Sequence, residues 1–391
     1  MLAQCSWTRH SCTRTGMGVL LVQRDVRVLH YGLSWNCGGI ENALLRYTTH
    51  VDRDVFRFDF LCSQDSAPCH RRALSEFGCR FFPIRSRRTS PRGQRRDIEA
   101  VIAGCRYDVV HCHLNTLSYV TPVAVALKQK IPTIVHSRNA GTKSSMVTLA
   151  LHVINGARLP WQRITKAAVS AAAAQWLFGA STDVHVINNG IEVSRFSFNM
   201  ERRLAIRSEL GLGDHLVIGH VGAFLEAKNH ALIVEVFSAL LASRPSAALV
   251  LVGGGPGTEA IRNMVASMGL AEHVHFLGPR TDVPDLLSAF DVFLFPSKYE
   301  GFPNAVLEAQ TSGLPCVVSN RITPEVLLSD HCTVRSLADP VPRWVDAILS
   351  AHGPLDRVAE ARIIDRSGFS AQDEAIKLQN LYELALQTRQ P

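Results

Sequence analysis

Short apolar, β-branched runs alternate with stretches of helical spacing along almost the whole chain. The runs are Val26 to Tyr31, Phe56 to Cys62, Val109 to Cys112 and Thr133 to His136. A later batch comprises Val217 to Val221, Ala248 to Val252, His273 to Leu277, Val292 to Pro296 and Pro315 to Val318. Nearly continuous apolar runs separated by helices predict parallel sheets with helices on both faces. Between the batches, Val184-His-Val-Ile-Asn-Asn-Gly-Ile191 reads as a last strand closed by a turn signal, and Arg195 to Arg207 as linker and first helix. In the C-terminal stretch Ala371 to Leu386, Ala375, Leu378, Leu381, Tyr382 and Ala385 share one helical face.

The expected fold class is therefore α/β, with two Rossmann-like, doubly wound parallel-sheet domains over residues 26–195 and 196–368 and a final helix over 369–391. In such sheets ligands bind beyond the carboxyl ends of the strands, so two facing domains make a cleft for two substrates. The 391 residues exceed the size at which one hydrophobic core stops growing, roughly 250 to 300 residues, which agrees with two domains.

Hydrophobic residues make up 47% and charged residues 19%, which excludes a disordered chain. The best membrane candidates, Val19 to Val22 and Ala167 to Ala174, fall far short of the roughly 20 apolar residues that a spanning helix needs. Near the start, Arg24, Asp25 and Arg27 stand where a signal peptide would carry a small-residue cleavage site. Residues 1–25 thus read as a disordered extension or a mis-assigned start. The cysteines show no paired CxxC spacing and no compact framework, which points to a reducing, cytoplasmic compartment. In His111-Cys112-His113 alternate strand residues face opposite ways, so no zinc site is expected there.

Lys plus Arg number 41 against 34 Asp plus Glu, and the excess gathers in the basic run Arg85 to Arg96. It reads as a solvated loop, with peripheral contact to anionic lipid head groups or to a phosphorylated acceptor as its functional reading. It lacks interleaved aromatics, and no nucleic-acid partner is expected.

The chemistry concentrates in Phe293-Leu-Phe-Pro-Ser-Lys-Tyr-Glu-Gly-Phe-Pro-Asn-Ala-Val-Leu-Glu308, a strand, a short loop and a helix opened by Pro303. Free amides around Gly301, Phe302 and Asn304, added to the helix dipole, suit a diphosphate, and Glu300 and Glu308 can address hydroxyl groups at its two ends. Gly38 and Gly39 let backbone approach substrates ahead of a helix from Glu41 to Thr49. Thr323-Pro-Glu325 reads as another helix start.

These residues resemble the retaining GT-B glycosyltransferases of glycosyltransferase family 4, particularly those of bacterial exopolysaccharide assembly. The resemblance covers about 26 to 385. Glu300 and Glu308 match that family's EX7E motif, and Gly38-Gly39-Ile40-Glu41, Asp108 to His113, Asn189-Gly190-Ile191, Gly222 to Asn229 and Val252 to Pro256 agree in order. The resemblance implies a nucleotide-sugar donor, a UDP-sugar first, and a saccharide or lipid-linked saccharide acceptor bound by the N-terminal domain. It implies no cofactor and no essential metal, and a last helix that crosses back to the first domain.

By the same resemblance Glu308 binds the ribose, Glu300 the donor sugar and Lys228 the diphosphate, with Gly39, Gly301, Phe302, Pro303, Asn304 and Thr323 lining the donor. His113 lies near the transferred sugar, and His136 and Arg138 lie on the acceptor side. Where the family usually has an arginine after the strand glycine, Gly222 is followed by Ala223. Arg138 or Arg321 can substitute, or donor binding is weaker, or activity is lost. An inactive binding homologue, and an epimerase or phosphorylase on the same fold, are the rival readings.

Overall fold

The computed structural model describes residues 25–34, 38–65, 67–141, 145–353 and 355–387. The first half builds strands β1 (Val26–Tyr31), β2 (Phe56–Ser63), β3 (Arg80–Ile84), β4 (Val109–Leu114), β5 (Thr133–Ser137), β6 (Ile164–Ala168) and β7 (Val184–Val186). They pair in parallel in the order β3-β2-β1-β4-β5-β6-β7. The second half builds β8 (Val217–Val221), β9 (Ala248–Val252), β10 (Val274–Gly278), β11 (Val292–Phe295), β12 (Cys316–Ser319) and β13 (Cys332–Arg335). Their order is β10-β9-β8-β11-β12-β13, again parallel.

Both sheets are covered on both faces, which is why residues of both parities along their central strands are buried, the polar exceptions being histidines such as His30, His111, His113 and His220. The first sheet reverses between β1 and β4 and the second between β8 and β11. At such a switch point the loops leaving adjacent strands diverge and leave a crevice. Residues 32–34 and Gly222 to Lys228 leave the two central strands there, and Pro296 to Asn304 leaves β11.

The two halves share apolar surface. Ala168, Val169 and Ala173 from the first half belong to the same core as Phe295, Phe302 and Val306 from the second. The last helix, Ala371–Gln387, packs on the Gly39–His50 helix, and its Ala375, Leu378, Leu381, Tyr382 and Ala385 complete the core above Phe56 and Phe58 of β2. Among the described residues no helix is long and apolar enough to cross a membrane.

Two expectations are corrected. The basic run is not a plain loop, because the Pro91–Gly104 helix takes up its second half and Arg85 pairs with Asp97 at 2.6 Å. Cys69 is disulfide-bonded, while Cys62, Cys79, Cys105, Cys112, Cys316 and Cys332 are free.

Candidate functional site

Lys228 ends a short 3-10 turn, Glu226–Lys228, that comes after β8, and Glu300 lies in the loop after β11. Because β8 and β11 are neighbours, both side chains arrive at the same end of the sheet. Lys228 Nζ donates to Glu300 Oε1 at 2.7 Å and sits 4.7 Å from the centre of the Phe295 ring. Ser297 Oγ donates to the same carboxylate oxygen at 2.7 Å. The two charged side chains are only 19% and 12% exposed, so the pair stands in a partly dehydrated setting where charges act strongly.

Glu308 projects from the Asn304–Thr311 helix toward the first half. Arg46, on the Gly39–His50 helix, donates from Nη2 to Glu308 Oε1 at 3.0 Å and from Nη1 to the Gly190 carbonyl at 2.7 Å. Burial pushes the Glu308 carboxyl above its ordinary value, and the charges of Arg46, Arg195 and Lys228 work against that rise. Arg46 is the site residue that sequence reasoning missed. The available signal was an arginine embedded in the apolar face formed by Ala43, Leu44 and Tyr47.

The loop between these carboxylates touches the first half closely. A side chain at Gly301 would place its Cβ 2.5 Å from the Arg138 carbonyl oxygen and 2.8 Å from the Asn139 Cα. Ser170 Oγ donates to the Gly301 carbonyl at 2.6 Å, and Asn189 Nδ2 donates to Asn304 Oδ1 at 2.8 Å. At Gly39 an added Cβ would lie 3.2 Å from Asn304 Nδ2, so this glycine also marks an approach between the halves. Gly301→Ala is expected to force the halves apart and cost about 1–3 kcal/mol. Gly104→Ala, whose Cβ would meet nothing within 4 Å, serves as the neutral control. Urea denaturation of both variants checks this.

The amides expected to hold a diphosphate are only partly free. Asn304 N–H is spent on the Phe302 carbonyl at 3.0 Å, while the Gly301 and Phe302 amides bond to no described residue. Phe302 turns its ring into the core, stacked on Phe369, and Pro303 caps the helix from a buried position. Thr323 is buried, but the helix expected after it is only a single 3-10 turn, Pro324–Val326. Glu325 there accepts from the Ala171 N–H at 2.8 Å and so ties this turn to the first half.

His113 and His136 lie inside the first sheet as part of a chain of imidazoles. His113 Nε2 meets His30 Nδ1 at 3.1 Å, His111 Nε2 meets His136 Nδ1 at 3.2 Å, and His111 Nδ1 meets the Tyr382 hydroxyl at 3.0 Å. Burial, reinforced by neighbouring positive charge, holds His111, His113 and His136 well below the usual histidine value and His30 at about 3. They are neutral at any physiological pH.

A guanidinium can only donate, so Arg138, 3.3 Å from His136 Nε2, sets that nitrogen as acceptor. His136 must then donate through Nδ1 to His111, and His111 through Nδ1 to Tyr382. The other Arg138 amine donates to Asn189 Oδ1 at 2.6 Å, which places Arg138 beside the contact between the halves, whereas Arg321 is exposed.

Among the described residues, ligand atoms of His30, His111 and His113 come within 4.8 Å of one another. Cys112 does point away, into the opposite core layer. His111 already uses both nitrogens on Tyr382 and His136, so the cluster reads as a hydrogen-bond network rather than a ligand set.

The chain matches two family models, described as Glycosyltransferase Family 4 over residues 37–195 and Glycosyl transferases group 1 over residues 203–343. It is 30% identical over 371 residues to glycosyltransferase EpsF of Bacillus subtilis (strain 168), covering 92% of this chain and 97% of the relative. It is 24% identical to the UDP-Gal:alpha-D-GlcNAc-diphosphoundecaprenol alpha-1,3-galactosyltransferase of Escherichia coli, covering 91% and 96%. The fold matches the crystal structure of Anabaena HepE in complex with UDP and glucose with a TM-score of 0.74, at 17% identity and over 91% of this chain and 98% of that one. With paired Rossmann-like domains, both halves matched by transferase models and a near full-length relative at 30% identity, the chain belongs to the GT-B glycosyltransferases.

Proposed function

We propose that this transferase moves a sugar from a UDP-sugar to a saccharide or lipid-linked saccharide acceptor, with retention at the anomeric carbon, in exopolysaccharide or cell-surface glycan synthesis. The observation that carries the reading is the convergence of Lys228, Glu300 and Glu308 at the switch point of the second sheet. In this reading Glu308 accepts from the ribose hydroxyls, Glu300 from the donor sugar, and Lys228 turns from Glu300 to the diphosphate. The bond from the anomeric carbon to the diphosphate oxygen breaks, and the acceptor oxygen bonds on the same face. The acceptor's proton goes to the leaving diphosphate, since no carboxylate here stands out as a nucleophile. Lys228 and the loop amides carry the leaving charge, so no resident metal or cofactor is needed.

Arg138 is the basic residue best placed to make up for Ala223. Peripheral contact between the basic run and an anionic membrane belongs to the same reading, which is supported by a relative whose named acceptor is diphosphoundecaprenol-linked. The test is nucleotide release and transfer by the purified protein over a panel of UDP-, GDP- and ADP-sugars, with and without chelator. The expected result is chelator-resistant release from a UDP-sugar that an acceptor accelerates, with the product's anomeric configuration unchanged by NMR. Nucleotide binding without release from any donor would instead favour the inactive homologue that Ala223 suggests.

A further inference from the structure

His220 stands on β8, a central strand of the second sheet, two residues before Gly222. Its imidazole is wholly buried, and Nδ1 lies 2.8 Å from the Leu294 carbonyl of β11. A carbonyl can only accept, so Nδ1 carries the proton and Nε2 keeps a bare lone pair. That nitrogen is shut off from water, and no described residue bonds to it. Burial, reinforced by His230 and Lys228 beside it, holds the ring well below the usual histidine value, so protonation does not use up the lone pair. A buried acceptor left without a partner is costly.

The ring cannot turn to find a partner elsewhere. Phe295 stacks on it with ring centres 5.5 Å apart, and His230, itself stacked on Phe224, meets it almost perpendicularly at 4.8 Å. Turning would also break the bond to Leu294. What Nε2 faces is the loop that leaves β8. A Cβ built on Gly222 would lie 2.9 Å from His220 Nε2, 3.3 Å from Lys228 Cδ and 3.4 Å from Lys228 Cε. The bare lone pair and the end of the lysine therefore border one small space, which exists because residue 222 has no side chain. The Phe295 ring that stacks on His220 is also the one beneath the Lys228 ammonium, 4.7 Å from its centre. Lys228 is the one cation between Gly222 and Asn229, and of its three hydrogens Glu300 takes one.

We propose that His220 is a positioning residue for the transfer. When Lys228 turns from Glu300 to the leaving diphosphate, it donates one hydrogen to His220 Nε2, and its remaining hydrogens then face the phosphate oxygens. The proposal rests on the reading that puts Lys228 on the diphosphate. A lysine is a point charge on a flexible stem, and a neutral acceptor fixed in the core gives it a direction. Because the lone pair is idle in the donor-free protein, the bond forms once leaving charge draws the lysine over, and it favours that state above the resting one.

His220→Phe keeps a stacked ring and deletes the acceptor, whereas His220→Gln restores an acceptor oxygen at similar reach. In nucleotide release from the preferred donor, His220→Phe should lower kcat about tenfold, close to the worth of one hydrogen bond to a charged group, with the donor KM within about twofold. His220→Gln should recover most of that loss. Combination with Lys228→Ala separates positioning from packing, because the His220→Phe loss should there shrink below about twofold, no ammonium being left to place. In the native protein, the nitrogen NMR resonance of His220 Nε2, assigned by its absence from His220→Gln, should move upfield when UDP saturates the site and stay unmoved in Lys228→Ala. A slow Lys228→Ala enzyme in which His220→Phe still costs about tenfold would overturn the proposal and leave the donor-site reading standing. So would an Nε2 resonance that bound UDP leaves in place. A Lys228→Ala enzyme as fast as the parent would overturn both.

Discussion

Lys228→Ala is expected to lower nucleotide release from the preferred donor by about 10²- to 10³-fold, the effect of removing one preorganised group from developing charge. Two consequences of the geometry add together. The leaving diphosphate loses the ammonium that stands at the end of β8, and Glu300 loses the cation 2.7 Å away that balances it. With Ser297 as its remaining partner, a carboxylate only 12% exposed is held by a single hydrogen bond and is less well positioned to accept from sugar hydroxyls. Lys228→Arg keeps the charge but offers a planar fork instead of a point charge, and should recover part of the rate. Steady-state kinetics of both variants decide it. A Lys228→Ala enzyme within about tenfold of the parent would remove the lysine from the donor site.

Arg46→Met is expected to destabilise the protein at neutral pH by about 3–5 kcal/mol, because it leaves the Glu308 carboxylate buried and unpaired. The sign of the pH dependence comes from burial. The folded-state carboxyl of Glu308 already lies above its ordinary value, and losing Arg46, the largest opposing influence, moves it higher. A group raised in this way contributes stability at pH below its unfolded value and loses it as pH rises through the folded value. The deficit of Arg46→Met should therefore be small in mildly acidic solution and grow toward mildly alkaline pH. Urea denaturation at the two ends of that range is the check, and a deficit independent of pH would mean that Arg46 acts through packing alone.

The alternation of the two strand batches was enough to read the doubly wound architecture, because each half repeats one local rule. The strands it passed over have local reasons. β3, Arg80–Ile84, contains Pro83 and lies at a sheet edge, where a missing N–H is tolerated but the apolar signal is weak. β13, Cys332–Arg335, is the edge strand of the other sheet, short and half exposed. β6 carries Lys166, which looks polar in sequence but reaches out to Asp183 at 2.7 Å.

In the candidate site, Glu300 and Lys228 lie on loops that leave neighbouring strands, so their meeting was a matter of topology. The pairing of Arg46 with Glu308 joins two helices 262 positions apart, and no periodicity carries that information. The same holds for His113 and His136, whose network with His30, His111 and Tyr382 is spread over three strands and the last helix. The helix expected after Thr323 failed for a different reason. A proline that opens a single 3-10 turn has the same signature as one that opens a long helix, and here the chain leaves helical geometry at Leu327, one residue past the turn.

The last helix sets the order in which a ribosome can deliver a finished protein. Leu378, Leu381 and Tyr382 close the core over β2, yet they are synthesised after the whole second half of the chain. The first half thus leaves the exit tunnel with Tyr47, Phe56 and Phe58 lacking their cover, and it must wait, partly open, while some two hundred further residues are made. During that interval a nascent chain offers apolar surface to chaperones, and a message cut short before codon 371 yields a product whose first half never closes.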